Sequence, residues 1–125
     1  RNWLVGLRDP MVGRALRALH ADPTRTWTLP ELAREAGASR TALAERFTDH
    51  LGMPPMAYLA AWRMQIASSL LSAGTLTVAQ VADRVGYESE ASFGRAFKRS
   101  TGMAPSEWRR ATTAQAALQE VVVAS

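Results

Sequence analysis

Residues 28–58 read TLPELAREAGASRTALAERFTDHLGMPPMAY, and residues 77–108 read TVAQVADRVGYESEASFGRAFKRSTGMAPSEW. The second stretch restates the first. Thr28, Leu32, Ala33 and Gly37 return as Thr77, Val81, Ala82 and Gly86. Ser39, Leu43, Phe47, Gly52, Met53, Pro55 and Tyr58 return as Ser89, Phe93, Phe97, Gly102, Met103, Pro105 and Trp108. A supersecondary unit used twice implies one physical task carried out at two places. Each copy spells a short helix, a glycine turn and a second helix, the layout that presents a recognition helix to a DNA groove.

Local signals extend this frame outward. Thr28 with Glu31, and Thr77 with Gln80, have the spacing of capping boxes. Leu29, Leu32, Ala33 and Ala36 form an apolar stripe at helical spacing. Gly37 and Gly86 supply the left-handed residue that ends a helix. Ser39 and Ser89 cap the second helix of each copy, where Leu43, Phe47 and Leu51, or Phe93 and Phe97, face inward. Asp9-Pro10 starts an earlier helix carrying Val12, Leu16 and Leu19, which Asp22-Pro23 ends. Between the copies, Leu59, Trp62, Ile66, Leu70 and Leu71 mark a long helix from about Met56 to Ser72, closed by Gly74. At 1.5 Å per residue it is roughly 25 Å long.

No segment alternates as a strand does, so the expected fold is all-α, two helix-turn-helix subdomains joined by a long linker helix. The expected divisions are a lead-in helix at residues 1–23, a first subdomain at 24–55, the linker at 56–73, a second subdomain at 74–110 and a C-terminal tail at 111–125. The tail can extend the last helix, although the valines at 121–123 have poor helix propensity.

A chain of 125 residues buries only a modest core. Its net charge of +4 suggests an acidic polymer as partner. Lys98 is the single lysine, and arginine suits bidentate contacts to phosphate and guanine. The absence of cysteine excludes disulfides, thiolate metal sites and a cysteine nucleophile, and fits a reducing cytoplasm. No apolar run approaches the roughly 18–20 residues that span a bilayer, so no membrane partner is expected. The chain opens without methionine and without a signal peptide, and reads as a piece of a longer protein.

With Phe93 and Phe97 inward, the opposite side of the second recognition helix carries Ala91, Ser92, Arg95, Lys98 and Arg99. Small residues near its start let the backbone approach base edges, and the cations behind them meet phosphate or guanine. The first recognition helix presents Thr41, Ala42, Glu45, Thr48 and Asp49, flanked by Arg40 and Ala44, so charges of opposite sign offset each other there. Glu45 can accept from a cytosine amino group but otherwise repels phosphate. The second unit is therefore expected to hold DNA more firmly.

Gly86-Tyr87-Glu88-Ser89, Ser92-Phe93-Gly94-Arg95-Ala96-Phe97-Lys98 and Gly102-Met103-Ala104-Pro105-Ser106-Glu107-Trp108-Arg109 together closely resemble the signature of AraC/XylS-type transcription regulators. The resemblance runs from about Trp27 to Arg110. It implies a bacterial, cytoplasmic DNA-binding domain whose two recognition helices enter successive major grooves, one turn or roughly 34 Å apart. By position it implies base-proximal Thr41, Ala44 and Glu45 in the first unit and Glu90, Ala91, Ser92, Gly94 and Arg95 in the second, with Arg40 and Lys98 near phosphates. Where these residues are small or acidic, indirect readout can replace base contacts. The resemblance further implies activation through contact with RNA polymerase, and an effector acting only through an N-terminal part. Leu7-Arg8-Asp9-Pro10 and Gly13-Arg14-Ala15-Leu16 resemble the subset with a cupin-like sensor.

Catalysis is not expected. His20 and His50 lack partners at metal-ligand spacing and read as solvated or capping side chains, so no metal or cofactor is expected. GxSxG, phosphate-loop and metalloprotease motifs are missing. Repair proteins that share this frame take alkyl groups on cysteine, which this chain lacks. Methionines and tryptophans fall mostly on inward faces or beside helix starts, so core packing is their default reading, except for Trp3, which is free to pack on a preceding domain. Two other readings remain open: a basic module that holds DNA by phosphates alone, and a helical protein-interaction module using the apolar tail around Leu118 and Val121.

Overall fold

The computed structural model describes residues 3–124. Among the described residues a 3-10 helix, Trp3–Arg8, precedes seven α-helices: α1 Pro10–Ala21, α2 Leu29–Ala36, α3 Arg40–Leu51, α4 Pro55–Ala73, α5 Val78–Arg84, α6 Glu90–Thr101 and α7 Pro105–Ala124. Among the described residues there is no strand, so the fold is all-α with two helix-turn-helix units. The chain divides into two compact units between Trp62 and Arg63, within α4. No described helix is long and apolar enough to cross a membrane.

In the first unit α1, α2 and α3 close on Val12, Leu16, Leu19, Leu32, Leu43 and Phe47, all fully buried. α1 is thus part of this core as well as the lead into it. Asp9 caps α1 by accepting the N–H groups of Met11 at 2.9 Å and Val12 at 3.2 Å. Trp27 seals the edge, its indole N–H donating to the Asp22 carbonyl at 3.1 Å. Thr28 caps α2, and Glu31 reaches back to accept from the Thr28 hydroxyl at 2.9 Å.

The second unit repeats the plan on Met64, Leu71, Val81, Val85, Phe93 and Phe97. Thr77 and Gln80 form a full capping box at the start of α5. From α7, the Trp108 indole donates to the Ser68 carbonyl at 3.3 Å, and Arg109 donates to the carbonyls of Leu71 at 3.2 Å and of Leu76. These bonds anchor the start of α7 to the second half of α4. Beyond Arg110 the chain continues α7 to Ala124. Leu118 on it is exposed, while the side chains of Trp3 and residues 121–123 lie outside the described residues.

Both turns close in the same way. Ala38 N–H reaches back to the Ala33 carbonyl and Gly37 N–H to that of Arg34. Tyr87 N–H likewise reaches Ala82 and Gly86 N–H reaches Asp83, the paired bonds of a Schellman motif. Gly37 at φ 68° and Gly86 at φ 86° supply the left-handed residue that this closure requires. The second turn carries one more residue before its cap, Glu88. Its Tyr87 stands at the place of Ala38 and packs its ring 5.7 Å from Phe93.

Candidate nucleic-acid interface

The second helix of each unit is built to show one face. In α6, Phe93 and Phe97 are fully buried, which turns Glu90, Ala91, Arg95 and Lys98 to the exposed side. Ser92 and Gly94 are half-buried at the margin of that face. Arg95 and Lys98 enter no ion pair or hydrogen bond among the described residues, so their charge is available to an external anion. Gly94 stands mid-helix, and a Cβ placed on it would meet nothing within 4 Å. Packing therefore does not account for this glycine.

Ser92 is less free than its position suggests. Its hydroxyl donates to the Ser89 carbonyl at 3.0 Å and accepts from the Ser89 hydroxyl at 3.0 Å. Its N–H donates to the Ser89 hydroxyl as well. The side chain therefore reinforces the α6 cap and keeps one acceptor position for a base or water.

In α3, Leu43, Phe47 and Leu51 are buried, and Arg40, Thr41 and Glu45 are exposed, with Ala44 half-buried. All ten sequence-derived positions thus lie at the surface or its margin on the second helices of the two turns. Arg46 adds nothing to the free positive charge, because its guanidinium lies 3.3 Å from Asp9. The net character of the α3 face therefore stays mixed, in contrast with α6.

Two supporting residues escaped the sequence reading. Arg14 of α1 donates to the Ala36 carbonyl at 2.9 Å, tying down the end of α2 just before the first turn. His20, expected to be solvated or capping, is half-buried. Its Nε2 shares a 2.6 Å hydrogen bond with the Tyr58 hydroxyl, and its ring lies 4.4 Å from that of Trp62. Burial holds the His20 imidazole below its ordinary pKa and raises that of Tyr58. Tyr58 in turn meets Phe47 of α3 edge-on at 5.5 Å. His50 also does not stand free in solvent, with Nε2 3.5 Å from Asp9. No group of three or more potential metal ligands occurs among the described residues.

A family model described as a helix-turn-helix domain matches residues 32–111. The chain is 46% identical over 111 residues to an AraC-like transcription regulator of Streptomyces lividans, covering 89% of this chain and 36% of that protein. It is 39% identical over 109 residues to the RCS-specific HTH-type transcriptional activator RclR of Escherichia coli, covering 87% of this chain and 38% of RclR. It spans little more than a third of the length of these curated relatives. Among solved structures, the C-terminal domain of AraT, a response regulator from Geobacillus stearothermophilus, superposes with a TM-score of 0.79 at 30% identity, covering 82% of this chain and 86% of that one. The DNA-binding domain of AdpA, solved in complex with a target DNA, superposes with a TM-score of 0.77 at 29% identity, covering 86% and 96%. Two capped turns of one design, the glycine-arginine face of α6 and a family match across both units lead to one assignment: the chain belongs to the AraC-type helix-turn-helix family of transcription regulators.

Proposed function

We propose that this chain is the operator-reading part of a bacterial transcription regulator, with α3 and α6 each entering a major groove, successive along one duplex. The observation that carries this is the exposed face of α6. Small Ala91 and Gly94 permit close approach, while Arg95 and Lys98 stand unpaired beside them. Such a face offers base readout and phosphate attraction from one helix. The DNA complex of the similar AdpA domain supports the same reading. Arg40, Thr41, Ala44 and Glu45 make the lesser contacts of the first unit, and Glu90 and Ser92 frame the start of the second.

The reading assigns the chain no catalytic role and places its work in the cytoplasm, where bacterial operators lie. Activation through RNA polymerase and control by an effector bound outside this chain complete the proposal, in line with the activator RclR. Selection from random duplexes tests it. The expected product is a site of roughly 16–20 base pairs without internal symmetry, since two unlike readers on one chain cover about two helical turns. Salt titration against cognate and random duplex then separates sequence reading from phosphate attraction. Both affinities fall with salt, but only a specific reader keeps a large ratio between them. A ratio near unity would reject specific reading.

A further inference from the structure

A cavity of about 420 Å³ opens between the 3-10 helix Trp3–Arg8 and α1, lined by Leu7, Leu16, Arg17, His20 and Ala21. Its size is within the range of small-molecule sites, roughly 300–1,000 Å³. Its chemistry is one-sided. Leu7 and Ala21 give it an apolar wall, and the fully buried Leu16 lies behind them. Among the described residues the polar lining is the Arg17 guanidinium and the His20 imidazole, with no carboxylate. The Arg17 guanidinium has no partner among the described residues. Asp22, next in the chain after Ala21, turns instead to the Thr24 hydroxyl, which donates to it at 3.2 Å.

We propose that this cavity binds a small amphipathic carboxylate, with its hydrocarbon body on Leu7 and Ala21 over the buried Leu16 and its carboxylate on the Arg17 guanidinium beside His20. One permanent cation balances one negative charge, and the planar fork of arginine matches a carboxylate in bidentate fashion. A doubly charged phosphate would leave excess charge against an apolar wall, which favours the carboxylate. The site also has a route to the proposed DNA-reading helix within its own unit. A ligand touching His20 bears on Tyr58 at 2.6 Å, and Tyr58 bears on Phe47 of α3. Binding itself is independent of whether α3 reads DNA.

The test therefore contains no DNA. Octanoate is titrated into the full 125-residue chain and followed by NMR of the His20 ring and the α1 amides. The expected result is saturable shifts centred on Leu7, Leu16, Arg17, His20 and Ala21. Octan-1-ol, which has the same body without the charge, binds about tenfold more weakly or worse, as does octanoate to Arg17→Gln. Arg17 is exposed, so this variant keeps the core intact. The proposal is overturned by no saturable shift at millimolar octanoate, by shifts centred elsewhere, by equal binding of octan-1-ol, or by an Arg17→Gln variant that binds as the parent does.

Discussion

Oδ2 of Asp9 lies 3.3 Å from the Arg46 guanidinium, joining the cap of α1 to the middle of α3. The other carboxylate oxygen accepts the N–H groups of Met11 and Val12. A single side chain thus starts one helix and holds another. Loss of the cap costs about 1 kcal/mol, and an exposed ion pair adds up to about 1 kcal/mol. Asp9→Ala should therefore lower the urea midpoint more than Asp9→Asn, which keeps a capping oxygen and loses only the charge. Equal losses in the two variants would place the whole effect in the charge pairing of Asp9 with Arg46 and His50.

The same residue predicts an acid response. Burial raises the Asp9 carboxyl, but the N–H groups of Val12 and Met11 and the charges of Arg46 and His50 outweigh it, leaving it below 3.8. The charged form is favoured in the fold. Its contribution is complete above 3.8 and is lost as pH falls below that value through the folded pKa. The difference in urea midpoint between the parent and Asp9→Asn should shrink on acidification across that window.

His20 predicts a second dependence at milder pH. Burial favours its neutral form and holds its pKa below 6.5. Its contribution to stability is complete above 6.5 and falls as pH drops below that value through the folded pKa, because the unfolded chain takes the proton first. The melting temperature should decline between pH 7 and pH 5, and His20→Phe should flatten that decline. An unchanged slope in His20→Phe would assign the effect to another group.

Local and distant features differed in how well the sequence foretold them. Thr28, Ser39, Thr77 and Ser89 each bond an N–H three residues on, so their roles are written within one helical turn. The exposed faces were equally legible, because burying Phe93 and Phe97 leaves Ala91, Arg95 and Lys98 outside by helical geometry alone. Asp9 with Arg46, Arg14 with Ala36, and Arg109 with Leu71 join residues far apart in the chain, and periodicity carries no information about such pairs. His20 did leave a trace. It follows Leu16 by four residues and so shares a face with a core position. Ser89 and Ser92 carried a comparable signal, since a serine three residues after a cap serine can close a local hydroxyl network.

The contrast between the two reading faces yields a ranking of variants. Lys98→Ala removes a free cation and should weaken binding evenly across sequences, lowering the salt slope by about 1. Arg95→Ala should cost about 1–3 kcal/mol and relax preference at one base pair. Glu45→Ala should strengthen binding to random duplex while narrowing the advantage of the cognate site. Competition binding at several salt concentrations reads all three. Equal, sequence-independent losses from Arg95→Ala and Glu45→Ala would contradict the dominance of α6.

Gly94 separates stability from function most sharply. Glycine inside a helix is less favourable than alanine by roughly 0.5–1 kcal/mol. A Cβ at this position meets open space, so Gly94→Ala has no clash to offset that gain. The variant should therefore raise the urea midpoint of the free protein. If α6 lies against base edges as proposed, the added methyl group occupies space the duplex needs, and affinity for the selected operator should fall. A more stable variant that binds operator as tightly as its parent would show that Gly94 faces away from the DNA, and would turn the reading face of α6 toward Arg95 and Lys98 alone.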